Sequence, residues 1–193
     1  MSEKKEKNPK ERILEAASNL FYVQGFDSTG INQIIEESET FKKSFYTYFQ
    51  DKNSLALSYL EIQEKELIEL LTKMIHKHKD YTNFVKAWVN LQRKKMTSNS
   101  YRGCPFALFS NQSIKNRELF QDKIQNIFKN WEELLIHFIE SLQKKNKFPQ
   151  KKDPKLIVKK IILYYEGVGQ AYSMTRDPIY IKLLEEELLS LKN

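Results

Sequence analysis

With 193 residues, of which 40% are hydrophobic, the chain can bury a sizeable core as one large domain or two small ones. A single cysteine, Cys104, excludes an intrachain disulfide, and no apolar run reaches the length of a membrane span or a signal peptide, so a cytoplasmic protein with no membrane partner is expected. The formal charge of +7 is not in itself a sign of nucleic-acid binding: residues 1–60 hold eight Lys/Arg against nine Asp/Glu, a net of −1, and the whole excess lies beyond them. Five Gly and five Pro are few, and apolar residues recur at spacings of three and four, which makes the class all-α.

Residues 1–8 are charged, lack apolar spacing and read as a frayed arm. From Pro9, the residues Ile13, Leu14, Ala17, Leu20 and Phe21 mark one face of a helix that Gly25 can end, with Phe26 folding back after it. Ile31, Ile34 and Ile35 give a second, short amphipathic helix, with Thr29 expected as its N-cap. A few residues on, Thr40 to Asp51 carries two lysines, two hydroxyl residues and two tyrosines on one turn-and-a-half of helix, a surface built to meet something anionic. Phe45 and Phe49, four apart, can seat a short helix on a core while Lys43, Ser44, Tyr46, Thr47 and Tyr48 spread over the rest of its circumference. Two short helices joined by a tight turn form a helix-turn-helix, whose second helix enters the major groove of double-stranded DNA.

Arg12-Ile13-Leu14-Glu15-Ala16-Ala17, Leu20-Phe21, Gly25-Phe26, Thr29, Ile34, Ser44-Phe45-Tyr46-Thr47-Tyr48-Phe49 and Lys52-Leu55 follow one another at spacings hard to obtain by chance. In these landmarks the sequence resembles the TetR family of bacterial transcriptional regulators. The resemblance implies a homodimer whose N-terminal heads bind a near-palindromic DNA operator and whose C-terminal bodies bind a small-molecule effector that releases it. It further implies that Thr29 and Gly30 present a helix N-terminus to a phosphate. Lys42, Lys43, Ser44 and Thr47 would face base edges, Tyr46 and Tyr48 phosphate or sugar, and Lys52 a further phosphate. Three positions depart from the family pattern: Glu39 stands at the turn glycine, Thr40 at an apolar position and Phe41 at the polar cap of the reading helix. Either Thr40 caps that helix, or the turn is reshaped and Phe41 fills the missing apolar contact. Lys43 replaces a common glycine and adds a long cation to the reading face.

From Asp51 to about His76 one long helix carries Leu55, Leu57, Leu60, Ile62, Leu67, Leu70 and Leu71 and would link head to body. His76 and His78, two apart, cannot share a helix face and suggest no metal site. Tyr81 to Met96 reads as a helix with Phe84, Val85, Trp88 and Leu91 inward. After the turn-like Asn99 to Gly103, Pro105 suits a first helical position and puts Cys104 at its N-cap, similar to one TetR branch in which the next helix lines the effector cavity. Cys104 there is either a small packed residue or a thiol whose reactivity the helix N-terminus raises.

Two long helices follow, Glu118 to Lys144 and Asp153 to Met174, and a last one runs from Ile179 to Leu191. The two long helices carry more apolar width than one neighbour needs, and in the TetR-like reading they form a dimer interface through Ile124, Phe128, Leu135, Ile139, Ile157, Ile161 and Val168. The effector cavity is expected among Trp88, Tyr101, Cys104, Phe106, Phe109, Trp131, Tyr164, Tyr165 and Tyr172. Few charges fall there, so a small, largely apolar or aromatic ligand oriented by tyrosine hydroxyls is expected. No phosphate loop, paired cysteine or catalytic grouping stands out, no cofactor is called for, and His137 in the apolar band reads as a packed, hydrogen-bonded histidine. The expected organisation is therefore a DNA-binding domain over residues 9–55 and an effector-binding and dimerisation domain over 56–193. An effector-free architectural DNA binder and a helical enzyme are the rival readings.

Overall fold

The computed structural model describes residues 7–193, and the terminal part of the expected arm, residues 1–6, lies outside it. Among the described residues every regular element is helical: α1 Pro9–Val23, α2 Ile31–Glu37, α3 Lys42–Tyr48, α4 Lys52–Lys77, α5 Tyr81–Met96, α6 Pro105–Gln112, a short 3₁₀ turn Ile114–Asn116, α7 Arg117–Lys144, α8 Pro154–Thr175 and α9 Ile179–Ser190. The helix boundaries follow local chemistry. Asn8 and Glu11 cap α1 reciprocally, each side chain accepting from the other's backbone N–H at 3.0 Å, with Pro9 in the first turn. Asp51 accepts from Ser54 N at 2.7 Å ahead of α4, Asp80 from Asn83 N at 2.9 Å ahead of α5, and Asp153 from Lys155 N at 2.9 Å ahead of α8. The carboxyl of Asp80 is held below its ordinary pKa, chiefly by that backbone hydrogen bond.

Two compact units divide the chain. The first comprises Met1–Glu64 with Pro105–Ile124, the second Lys65–Cys104 with Gln125–Asn193. The first unit thus takes in α6 and the start of α7. In the first unit Ile13, Ala17, Leu20 and Phe21 of α1 turn inward, as their spacing requires. Five rings finish its core: Phe21, Phe26, Tyr59, Phe109 and Phe120 pack edge-on or tilted at centroid separations of 5.0 to 6.4 Å. Gly25, at φ +93°, lets the chain turn under α6; a Cβ there would lie 2.9 Å from the Gln112 side chain.

The second unit packs the later part of α4, α5, the body of α7, α8 and α9 around Trp88, Trp131, Phe84, Phe138 and the aliphatic face of α8. Tyr81, fully buried on α5, donates its hydroxyl to Leu188 O on α9 at 2.8 Å, and burial pushes its pKa up. Helix α8 ends at Arg176, whose φ of +58° closes a left-handed cap with its N–H on Tyr172 O at 2.8 Å.

Candidate nucleic-acid interface and body

Helix α3 is held from below by Phe45 and Phe49, 0% and 3% exposed, whose rings lie 5.9 Å apart. Around that anchor Lys42, Lys43, Tyr46, Thr47 and Tyr48 are exposed and Ser44 is half-buried. The Tyr46 ring leans edge-on against Phe45 at 5.2 Å, which fixes its body and leaves its tip free. Thr47 donates its hydroxyl to Lys43 O at 2.8 Å, and the oxygen can still accept from a partner.

Two residues expected at the phosphates have other tasks. Thr29 is buried: its hydroxyl donates to Gly25 O at 2.7 Å and accepts from Gln24 Nε2 at 3.2 Å, so Gly30, with no side-chain hydrogen bond, caps α2 instead. Gly30 itself is exposed, with open space where a Cβ would stand. Lys52 turns inward, its Nζ donating to Phe26 O and Thr29 O at 2.9 Å each and lying 4.3 Å from the centre of the Phe26 ring. Burial lowers its pKa; nearby Asp27 acts in the opposite direction and Lys115 adds to the lowering. The side chain is a strut between α4 and the α1–α2 loop: it supplies a donor to Thr29 O and a second one to Phe26 O, which also accepts from Thr29 N at 3.2 Å.

The turn between α2 and α3 is reshaped, and Thr40 is not the cap of α3. Glu39 takes the left-handed conformation, φ +49°, where glycine is the relaxed choice, and its carbonyl accepts from Arg12 Nη1 at 3.1 Å. Thr40 shares a 2.7 Å hydroxyl contact with Ser38, and Phe41 is the N-cap without any side-chain cap hydrogen bond. Phe41 fills no apolar gap: it is 80% exposed. The clamp from Arg12 escaped the sequence reading, since an arginine on α1 gives no sign of what it meets 27 residues later.

In the second unit the expected residues Trp88, Trp131, Tyr165, Tyr101 and Tyr172 gather in two places. Tyr165 stacks on Trp88 at 5.3 Å and meets Trp131 edge-on at 5.7 Å, while Tyr101 and Tyr172 meet edge-on at 6.2 Å. Gly169 admits the Tyr101 hydroxyl to α8; a Cβ there would stand 3.1 Å from it. Tyr164 is half-buried against the same core. Cys104 is buried and hydrogen-bonds the Glu166 carboxyl, whose pKa is pushed up by burial. Trp131 Nε1 and Glu166 Oε1 are buried without a hydrogen-bond partner. Phe106 and Phe109, expected beside these, are buried in the first unit. A surface hollow of about 600 Å³ in the second unit is lined by Asp80, Asn146, Lys147, Phe148, Pro149, Gln150, Lys192 and Asn193, none of them among the expected effector residues.

Of the expected interface residues, Leu135, Ile139, Ile157 and Ile161 are at most 5% exposed and belong to the chain's own core, whereas Ile124, Phe128 and Val168 are half-buried. The outward stripe of α8 is a different one, Leu156, Leu163, Gly167 and Met174, with Leu156, Leu163 and Met174 54%, 67% and 70% exposed. His137 is exposed, not packed. Among the described residues no group of three or more His, Cys, Asp or Glu could hold a metal ion, and no helix is long and apolar enough to cross a membrane.

Residues 13–59 match the sequence pattern of bacterial regulatory proteins of the tetR family, and residues 82–188 that of a tetracyclin repressor-like C-terminal domain. The HTH-type transcriptional regulators YxaF and LmrA of Bacillus subtilis are 28% and 27% identical over 125 and 124 residues, 64% and 63% of this chain. Those alignments span 65% and 66% of the two relatives. Reduced NemR of E. coli superposes with a TM-score of 0.84 at 16% identity, over 96% of this chain and 98% of that one. SCO4454 of Streptomyces coelicolor, a TetR-family regulator, gives a TM-score of 0.82 at 16% identity, over 95% and 93% of the two chains.

Proposed function

Since the chain belongs to the TetR family of bacterial regulatory proteins, which are regulators and not enzymes, we propose that it is a cytoplasmic DNA-binding repressor acting as a homodimer and released by a small-molecule effector. The observation that carries the reading is the α3 face. Two lysines, a threonine and two tyrosines stand exposed on a helix whose opposite side is fixed by Phe45 and Phe49. A rigid seat lets long cations reach base edges in register, and the tyrosines flanking them suit phosphate or sugar. Gly30, open to solvent at the start of α2, adds backbone N–H groups for the same strand.

Dimerisation is supported by the apolar stripe on α8, and effector binding by two buried polar atoms of the second unit that lack partners, Trp131 Nε1 and Glu166 Oε1. An aromatic ligand with one polar group would satisfy such atoms while covering apolar rings. To release DNA tenfold it need favour the non-binding state by only about 1.4 kcal/mol.

Selection of bound duplexes from a random pool, followed by affinity measurement, tests the DNA reading. Lys43→Ala and Thr47→Ala should each change the preference at particular base pairs by about 1–3 kcal/mol. Unaltered base preference in both variants would remove α3 as the reading element.

A further inference from the structure

Phe41 is the feature of the head that folding does not explain. It is the N-cap of α3, a position at which Ser, Thr, Asp or Asn would satisfy an orphan N–H, yet α3 has no side-chain cap hydrogen bond. The ring gains nothing in exchange within the chain, being 80% exposed while Phe45 and Phe49 beside it are buried. Immediately after it come Lys42 and Lys43, both exposed, so the ring stands at the leading end of the surface that meets DNA.

The N-terminal residues of a recognition helix are those that reach base edges in the major groove. Of the base edges there, only thymine presents an apolar group, its C5-methyl, and apolar side chains are its partners. We propose that Phe41 is a specificity-determining residue that reads the C5-methyl group of a thymine at a fixed position in each half-site. The inference rests on the DNA-binding reading above. A flexible lysine at this position would find any phosphate, whereas a phenyl ring discriminates only where a methyl group meets it.

The test uses the full-length protein and the duplex that the wild type selects from a random pool. Each thymine in one half-site is replaced in turn by deoxyuridine, which removes the methyl group and keeps the base pairing. For the wild type, one or two such replacements should weaken binding about fourfold each, the worth of one buried methyl group. Phe41→Ser should bind the unmodified duplex more weakly by a similar factor and be indifferent to those replacements, while its melting temperature is unchanged or higher because serine restores the cap. Phe41→Leu should keep part of the discrimination.

Equal losses in wild type and Phe41→Ser on every replacement would overturn the inference, as would Phe41→Ser binding the unmodified duplex as tightly as the wild type. A wild type that selects no sequence from the pool would overturn the DNA-binding reading itself, a separate outcome. A change in sedimentation on Phe41→Ser without any change in methyl discrimination would reassign the ring to contact between copies of the chain.

Discussion

Glu39 and Glu166 hold a conformation and a charge state that their residue types resist. Glu39 sits at φ +49° at the tightest point of the helix-turn-helix, where a Cβ is crowded by the following carbonyl. Its backbone, not its carboxylate, does the work, since the carbonyl receives Arg12. Glu39→Gly should therefore stabilise the protein by about 0.5–1 kcal/mol in urea or thermal unfolding, with the Arg12 hydrogen bond kept. Glu166 is the reverse case of a residue whose charge is resisted. Burial raises its pKa in the folded chain, with the Cys104 thiol acting against that rise. A carboxyl that prefers its proton when folded favours the native state below its ordinary pKa, and that contribution is lost as the pH climbs from there through the raised folded value. Glu166→Gln stays neutral throughout. The melting temperature of Glu166→Gln relative to wild type should thus rise between pH 4.5 and pH 7.5, and a difference independent of pH would show that the carboxyl titrates normally.

Among the elements, α6 and the α1–α2 loop show how the head is completed. Phe109 of α6 packs against Phe21, Phe26 and Tyr59, and Gln112 lies where a side chain on Gly25 would project. The loop is stitched further by Lys52 to Phe26 O and Thr29 O and by the backbone bond from Asp27 N to Gln112 O at 3.3 Å. Gly25→Ala meets both obstacles together, a positive φ and a contact of 2.9 Å with Gln112. It should cost about 1–3 kcal/mol of stability, measured by denaturant unfolding, with the larger part coming from the backbone because the Gln112 side chain can swing aside. Shortening Gln112 to Ala in the same background should then recover little.

At the scale of the molecule, α8 has two apolar faces with different fates. Ile157 and Ile161 point into the second unit's core, while Leu156, Leu163 and Met174 leave a stripe in solvent, the surface that the proposed dimer would cover. Glutamate at the two faces should have opposite signatures. Leu163→Glu should sediment as a monomer and lose operator affinity while keeping its helical circular dichroism, because it disturbs only the outward stripe. Ile161→Glu should unfold the body, since an unpaired carboxylate would be buried among aliphatic side chains. If Leu163→Glu remained dimeric at micromolar concentration, the interface would have to lie elsewhere.

The helices themselves, their order and most of their ends were legible in the sequence, because apolar spacing, Asx and Pro caps and Gly25 are local signals that act within a few residues. So was the inward face of α3: Phe45 and Phe49, four apart, leave their neighbours no choice but to point out. Tertiary packing alone decided the rest. Thr29 and Lys52 look like surface polar residues in sequence, but the Phe26 and Thr29 carbonyls of the α1–α2 loop take the lysine, and Gly25 O takes the threonine. Phe106 and Phe109 announce burial by their spacing without naming the unit that buries them, and Ile157, Ile161, Leu156 and Leu163 are equally apolar in sequence. Which of them meets the chain's own core and which meets solvent depends on the rotation of α8 about its axis, a quantity set by its neighbours and not by any property of the four residues.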